Sequence, residues 1–360
     1  MTKNTKNLSP AWCDVVSFAA ANECPWAKDP TDDGASWGIH LKDPPPHNRL
    51  LGPVFKRGPA SGIVQVAGKT CCEWGEPDRA DMTFSVTKTY LALVAGVAFD
   101  QGLIPDPDEA VYLRVPGLGF DDEHNRAVTW AQLLQFTSEW QGSCFGVPDS
   151  VDHHRRAGFQ GEPAPGTPPK GTERQRQQPG SFWEYNDVRI NQFGLALLHL
   201  FKKPLPQVLA ESIMEPLGTS DTWRWHGYDN SWVSIDGVKM QSVPGGGHWG
   251  GGMQICARDQ ALVGELMLAG GRHGNRQLVS EQWISLMRTP CAIAPFYGFF
   301  TWLNQGPHPL VNASPESFFA LGIGGQTVWH DPTRQMVAVF RWTDVSALDE
   351  LMGLVNKALA

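Results

Sequence analysis

Residues 83–104, TFSVTKTYLALVAGVAFDQGLI, place a hydroxyl and an amine three positions apart, Ser85 and Lys88, directly ahead of a long apolar run. The run reads as a helix built to be buried, so the chain must supply enough structure to cover it. At 360 residues it is long enough for one large domain or two interlocked ones. Positions i and i+3 of a helix are neighbours on one face, so Ser85 and Lys88 can touch. A helix N-terminus also offers free N–H groups and a partial positive charge. A serine hydroxyl is a poor nucleophile until a neighbouring base takes its proton, and a desolvated lysine can be that base. The plain alternative is a helix cap followed by a surface lysine, and the spacing alone does not decide between them.

The rest of the chain reads as strands towards both ends and helices in the middle. SPAWCDVVSFAAANE is a first helix with Ser9 as N-cap and Pro10 in the first turn. GIVQVAG and CCEWG are two short strands joined by a turn. VTWAQLLQFTSEW, DVRINQFGLALLHLF, LPQVLAESIMEPLG, ARDQALVGELMLAGG and VSEQWISLMRT have helical period, with Thr129 and Ser280 as start signals. Residues 141–180 are rich in Gly, Pro and polar residues and have no period, which predicts a functional or mobile loop. Within them the basic pieces HHRRAG and GTERQRQQPG read as solvated loop. FYGFFTWLN, GQTVWHD and QMVAVFRWT read as strands, and SALDELMGLVNKAL as a last helix.

Several of these runs together resemble the serine β-lactamase and penicillin-binding superfamily. MTFSVTKTY resembles its first motif, and VTWAQLLQFTSEW its helix and following turn. QPGSFWEYNDV resembles the second motif, a PG followed by a tyrosine. EPLGTSDT and GGGMQICARDQALVGELMLAGG are similar to its connector and helix, and FFALGIGGQTVWHDP to the strand carrying the third motif. The likeness covers roughly residues 60 to 345 and is nearest the class C-like branch, which includes family VIII carboxylesterases, D-aminopeptidases and 6-aminohexanoate-oligomer hydrolases.

The resemblance implies an α+β, β-lactamase-like fold: an antiparallel sheet flanked by helices from residues 1–76 and 255–360, and a mainly helical domain from 77–254, with the active site between them. It implies Ser85 as nucleophile, Lys88 and Tyr185 sharing the acid and base roles, and the N–H groups of Ser85 and Gly325 as oxyanion hole. Substrate contacts are expected from Trp183, Asn186, Asp187, His248, Trp249, Ile323 and Gly324. Two positions depart from the family pattern. Asp187 stands where an asparagine is expected, and Gly322-Ile323-Gly324 lacks the basic residue of the third motif. That loss counts against a dedicated β-lactamase and favours a small ester or amide. A β-lactamase or D-amino-acid peptidase and a non-catalytic sensing module stay open as alternatives.

Other signals are set aside. GGGHWG from Gly245 satisfies GxGxxG, but Pro244 separates it from any strand and no helix opens on the glycines. Gly68-Lys69-Thr70 lacks the earlier glycine of a phosphate loop and reads as a hairpin turn. GASWG around Ser36 lacks the strand and helix of a nucleophile elbow, and no SDN motif is present. Of the 15 tryptophans, Trp74, Trp140, Trp183 and Trp249 fall near the motifs, as core or as an aromatic wall. The net charge of −8 disfavours nucleic acid and anionic membranes as partners. No apolar run is long enough for a membrane span and no export signal is visible, so a cytoplasmic location is expected. Seven cysteines without a CxxC pattern, and histidines without ligand spacing, imply neither a disulfide framework nor a metal, and no cofactor is expected.

Overall fold

The structure, a computed structural model, describes residues 8–32, 37, 40–160 and 162–360; Ser36 and the centre of its GxSxG run lie outside them. The main sheet has six antiparallel strands in the order β3–β4–β5–β6–β1–β2, with β1 Ser61–Val66, β2 Lys69–Trp74, β3 Trp302–Leu303, β4 Phe318–Gly322, β5 Gln326–Asp331 and β6 Met336–Arg341. Strands from the two ends of the chain therefore share one sheet, and β1 zips onto β6 from Ser61↔Arg341 to Val66↔Met336. Of Gly68-Lys69-Thr70, Gly68 makes the β1–β2 hairpin turn with Ala67, at φ of 76° and 46°, while Lys69 and Thr70 already pair with β1 as the start of β2. Every residue of β5 and β6 is buried. Their VWH and VAVF cores are continuous rather than alternating, as in a sheet covered on both faces.

Helix α1 (Pro10–Ala21) packs on α7 (Leu348–Leu359) and reaches β2, while α5 (Ala257–Leu268) lies on β1, β5 and β6. Helix α2 (Thr87–Asp100) is buried from Thr87 through Ala98. It is covered by α4 (Asp187–Phe201), α6 (Glu281–Met287) and the helix Leu205–Leu209. Gly96 lets α6 approach: a Cβ there would stand 2.5 Å from the Trp283 ring. The Trp283 indole N–H in turn donates to the carbonyl of Ala92 at 2.9 Å. One apolar core runs from the sheet through α2 and α4. Among the described residues no helix is long and apolar enough to cross a membrane.

Three expectations need correction. VTWAQLLQFTSEW is helical only over Trp130–Leu134 (α3), which starts on a capping box between Thr129 and Gln132. It ends early because Phe136 and Glu139 take left-handed φ of 62° and 49°, which turn the chain inward. FYGFFTWLN keeps only Trp302–Leu303 as strand, after Phe300 at φ 45°. The basic pieces of 141–180 are solvated only in part: Arg156, Glu173, Gln175, Gln177 and Gln178 are exposed, but Arg155, Arg174 and the neighbouring Lys170 turn inward. Arg174 forks between buried Glu139 (2.5 Å) and Glu184 (2.7 Å), while Arg155 and Lys170 reach the buried Asp152 at 3.0 and 2.9 Å. Buried carboxylates need such partners, so charge pairing rather than apolar period fixes this loop.

Candidate active site

Ser85 sits in a tight turn, Phe84–Val86, immediately before α2 rather than one turn inside it. The turn is tied on three sides. Thr83 N–H donates to Met253 O (2.9 Å), Gln260 donates to Thr83 Oγ1 (2.8 Å), and the buried Arg341 of β6 donates to Met82 O (3.0 Å). Phe84 is held at φ 48°, a costly left-handed conformation for an aromatic residue. Its ring is locked edge-on between Trp26 and Trp342 at 5.7 and 6.0 Å. Strain of this kind persists only where the surroundings over-determine it. Its effect here is to leave Ser85 half-exposed while Phe84 and Val86 are buried.

The Lys88 ammonium lies 3.0 Å from Ser85 Oγ and 2.6 Å from Asp187 Oδ1. The second contact is an ion pair off the hydrogen-bond axis rather than an aligned bond. Gly246 closes over the pair: a Cβ there would stand 3.1 Å from Lys88 Nζ and 3.3 Å from Ser85 Oγ. Tyr185 is buried, stacked on Phe136 at 4.3 Å, and carries both Lys88 Nζ and Arg155 Cζ at 4.8 Å from its ring centre. Such cation–ring contacts are strongest where water is excluded.

A cavity of about 230 Å³ opens over Ser85 and Tyr185. One wall is apolar, built from Trp302, Leu321, Ile323, Val345 and Leu348; Arg155 to Gly158 form another part of its lining. Gly322, Ile323 and Gly325 line it at the end of β4. The Cβ position of Gly322 is 3.3 Å from Ser85 N and 2.3 Å from Thr83 O, so only glycine lets this strand press onto the nucleophile turn. Gly325, at φ 71°, has its Cβ direction filled by the Thr343 carbonyl.

The remaining expected residues lie around the cavity rather than in its lining. Gly324 is turned towards Trp342 and Trp26. Trp183 packs on Phe296 and Tyr297, and the aromatic wall is Trp302 instead. Asn186 is the N-cap of α4: its side-chain oxygen accepts from Val188 and Arg189 N–H, and its amide donates to Asp149 O at 2.9 Å. His248 and Trp249 are stacked at 3.7 Å and buried behind the site.

Residues 77–351 match the profile of the family described as Beta-lactamase. The chain belongs to that family. It is 25% identical over 274 residues to the 6-aminohexanoate-dimer hydrolase of Paenarthrobacter ureafaciens, a match spanning 73% of this chain and 66% of that protein, just under two thirds of its length. Its fold is similar to a penicillin-binding protein homologue from Caulobacter crescentus (TM-score 0.63, 16% identity, 98% and 99% of the two chains). It is also similar to a family VIII carboxylesterase (TM-score 0.61, 17% identity, 98% of each). The chain thus has the β-lactamase-like arrangement of antiparallel sheet and helices, in a family of serine hydrolases.

Against that family pattern, Asp187 is the informative departure. Burial alone would raise its pKa, but the charges of Arg155 and Lys88 and the contact with His248 hold it well below the usual carboxylate range. Its Oδ2 takes Arg155 Nη1 at 2.6 Å and His248 Nδ1 at 3.1 Å. Behind His248, Nε2 lies 2.9 Å from Asp43 Oδ2. Asp43, Asp152 and His248 have a spacing that could hold a metal ion. The Lys170 ammonium already sits among them, paired with Asp43, 2.9 Å from Asp152 and 3.2 Å from His248, so a divalent cation would have to displace it. Sequence reasoning missed Asp43, Asp152, Arg155, Lys170, Gly246 and Trp302. A buried charge carries no periodic signal, and of these charged partners only Arg155 fell in a run that was singled out, HHRRAG.

Proposed function

We propose that the protein is a serine hydrolase that cleaves a small ester or amide through an acyl-enzyme on Ser85. The observation that carries this reading is the 3.0 Å contact between Ser85 Oγ and Lys88 Nζ beneath a cavity with an apolar wall. Ser85 Oγ attacks the substrate carbonyl as its proton leaves for the Lys88–Tyr185 pair. The Lys88 ammonium paired with Asp187 has no room for another proton, so the Ser85 proton passes to Tyr185 acting as the phenolate, its charge balanced by that ammonium, and leaves Tyr185 as the neutral phenol that later returns it. The tetrahedral oxyanion is met by the Ser85 N–H and an N–H of the Gly322–Gly325 turn, with Gly325 as the expected donor; each such donor contributes roughly 10²–10³ in rate. Collapse passes the proton to the departing alkoxide or amine. Water then repeats the sequence on the acyl-enzyme, with the same pair taking its proton and returning one to Ser85 Oγ.

The apolar wall and the missing basic residue of the third motif favour a neutral acyl group over a carboxylate-bearing lactam. A reducing, cytoplasmic setting fits the seven unpaired cysteines. The test is mass spectrometry after a fluorophosphonate probe, with rates for nitrophenyl esters and a chromogenic cephalosporin. The expected result is label on Ser85, none in Ser85→Ala, and ester turnover well above cephalosporin turnover. Comparable cephalosporin rates would move the protein to the β-lactamase or D-amino-acid peptidase reading. A burst that stops at one equivalent would make it a sensing module, and label on another residue overturns the assignment.

A further inference from the structure

We propose that Asp187 is a bridge that fixes the nucleophile's lysine and the wall of the acyl cavity as one unit, with Arg155 as its second positioning residue; this rests on the hydrolase reading above. The two carboxylate oxygens face different partners. Oδ1 is 2.6 Å from Lys88 Nζ, which touches Ser85, and Oδ2 is 2.6 Å from Arg155 Nη1. Arg155 begins the strap 155–159, of which residues 155–158 line the cavity. The far end of the strap rests on Trp302: a Cβ on Gly158, at φ 53°, would stand 2.3 Å from that ring, and Phe159 meets it edge-on at 5.5 Å. The strap is therefore fastened at one end by an ion pair and at the other by aromatic packing.

The bridge is held rigid from behind. Lys88, Arg155 and Lys170 balance Asp43, Asp152 and Asp187 one for one, with His248 between Asp187 and Asp43. Each of the three carboxylates is buried, so none can drop its partner for water. An asparagine at 187 could still accept from one cation, but it would turn an N–H₂ towards the other. A carboxylate at this position, unlike the amide, can take a cation on each oxygen at once.

The experiment measures, per fluorophosphonate-titrated site, the rate of Ser85 labelling and the kcat/KM ratio of hexanoyl to acetyl nitrophenyl ester. Asp187→Asn is expected to slow labelling at least about tenfold, as small displacements of a reacting group do, and to lower the hexanoyl-to-acetyl ratio with it. Arg155→Met is expected to lower kcat/KM for both esters, the hexanoyl one about tenfold more, and Arg155→Lys to recover part of that difference. A purely structural role would reduce the number of titratable sites and leave the per-site values alone. The proposal is overturned if Asp187→Asn slows labelling with the ratio unchanged, or if Arg155→Met leaves the ratio unchanged. Should Arg155→Met fail to fold, an unchanged ratio in Arg155→Lys overturns it equally. Failure of the hydrolase reading is separate: the wild-type protein would then not label at Ser85 at all.

Discussion

The Ser85–Lys88 contact was legible from a three-residue spacing and Tyr185 from the resemblance of QPGSFWEYNDV to a family motif, and the structure sets Lys88 against both Ser85 and the Tyr185 ring. Their environment was not legible, because it is made of residues far apart in the chain. Arg155 meets Asp187 across 32 positions and Lys170 meets Asp43 across 127. Gly246 was seen only as part of a glycine-rich loop, whereas its missing side chain is what lets that loop cover the Ser85–Lys88 pair. The change Gly246→Ala would put a methyl 3.1 Å from Lys88 Nζ, the free end of a flexible side chain. The fold can absorb that by moving the ammonium a few tenths of an ångström. We expect turnover to fall about tenfold or more with little change in unfolding midpoint, since reaction rate is the more sensitive to such displacements. Steady-state kinetics beside a thermal melt checks this; unchanged kinetics would contradict the placement.

At the scale of elements, the signals that worked were local. The Ser280 side chain caps α6 through Trp283 N–H, and Thr129 with Gln132 forms the capping box that starts α3. The signals that failed were those overruled by burial of charge. Glu139 and Glu184 pull Arg174 and Arg189 into one cluster, and the chain gives up helix at Phe136 to deliver Glu139 there. Two predictions belong here. Arg174→Leu leaves these two buried carboxylates with too little positive charge and is expected to cost about 3–5 kcal/mol in urea unfolding. Asn186→Ala removes the α4 cap and strands the Asp149 carbonyl, for about 2 kcal/mol. Asn186→Ser, which keeps a capping oxygen, should recover part of that loss. A midpoint unchanged in Asn186→Ala would mean that the cap contributes nothing.

At the scale of the whole molecule, the sheet built from both chain ends was legible from β-rich runs at 61–74 and 318–341. The small sheet joining Asp81–Met82, Gly252–Ile255 and Arg224–His226 was not, because strands of two to four residues give no period to read. The fold also makes the protein acid-sensitive. Burial on α5's side of the sheet pushes the His330 pKa down to about 3 from its ordinary 6.5. The unfolded chain then binds a proton that the folded one refuses, so this group removes stability as pH falls from about 6.5 towards 3, by about 1.4 kcal/mol per unit. Burial would raise Glu139, but bonds from Arg174 and the charge of Arg189 outweigh it and hold it at about 2, below its ordinary 4.5. Its contribution is present above 4.5 and is lost as pH falls towards 2. Both act in the same direction, so the unfolding midpoint should fall steadily below pH 6.5, and His330→Phe should flatten the upper part of that fall. The central claim is tested most directly by quenching the protein during turnover of a hexanoyl nitrophenyl ester and weighing the intact chain. The account predicts one added hexanoyl group, mapped to the peptide containing Ser85 and absent from Ser85→Ala; turnover with no adduct, or an adduct on another residue, would contradict it.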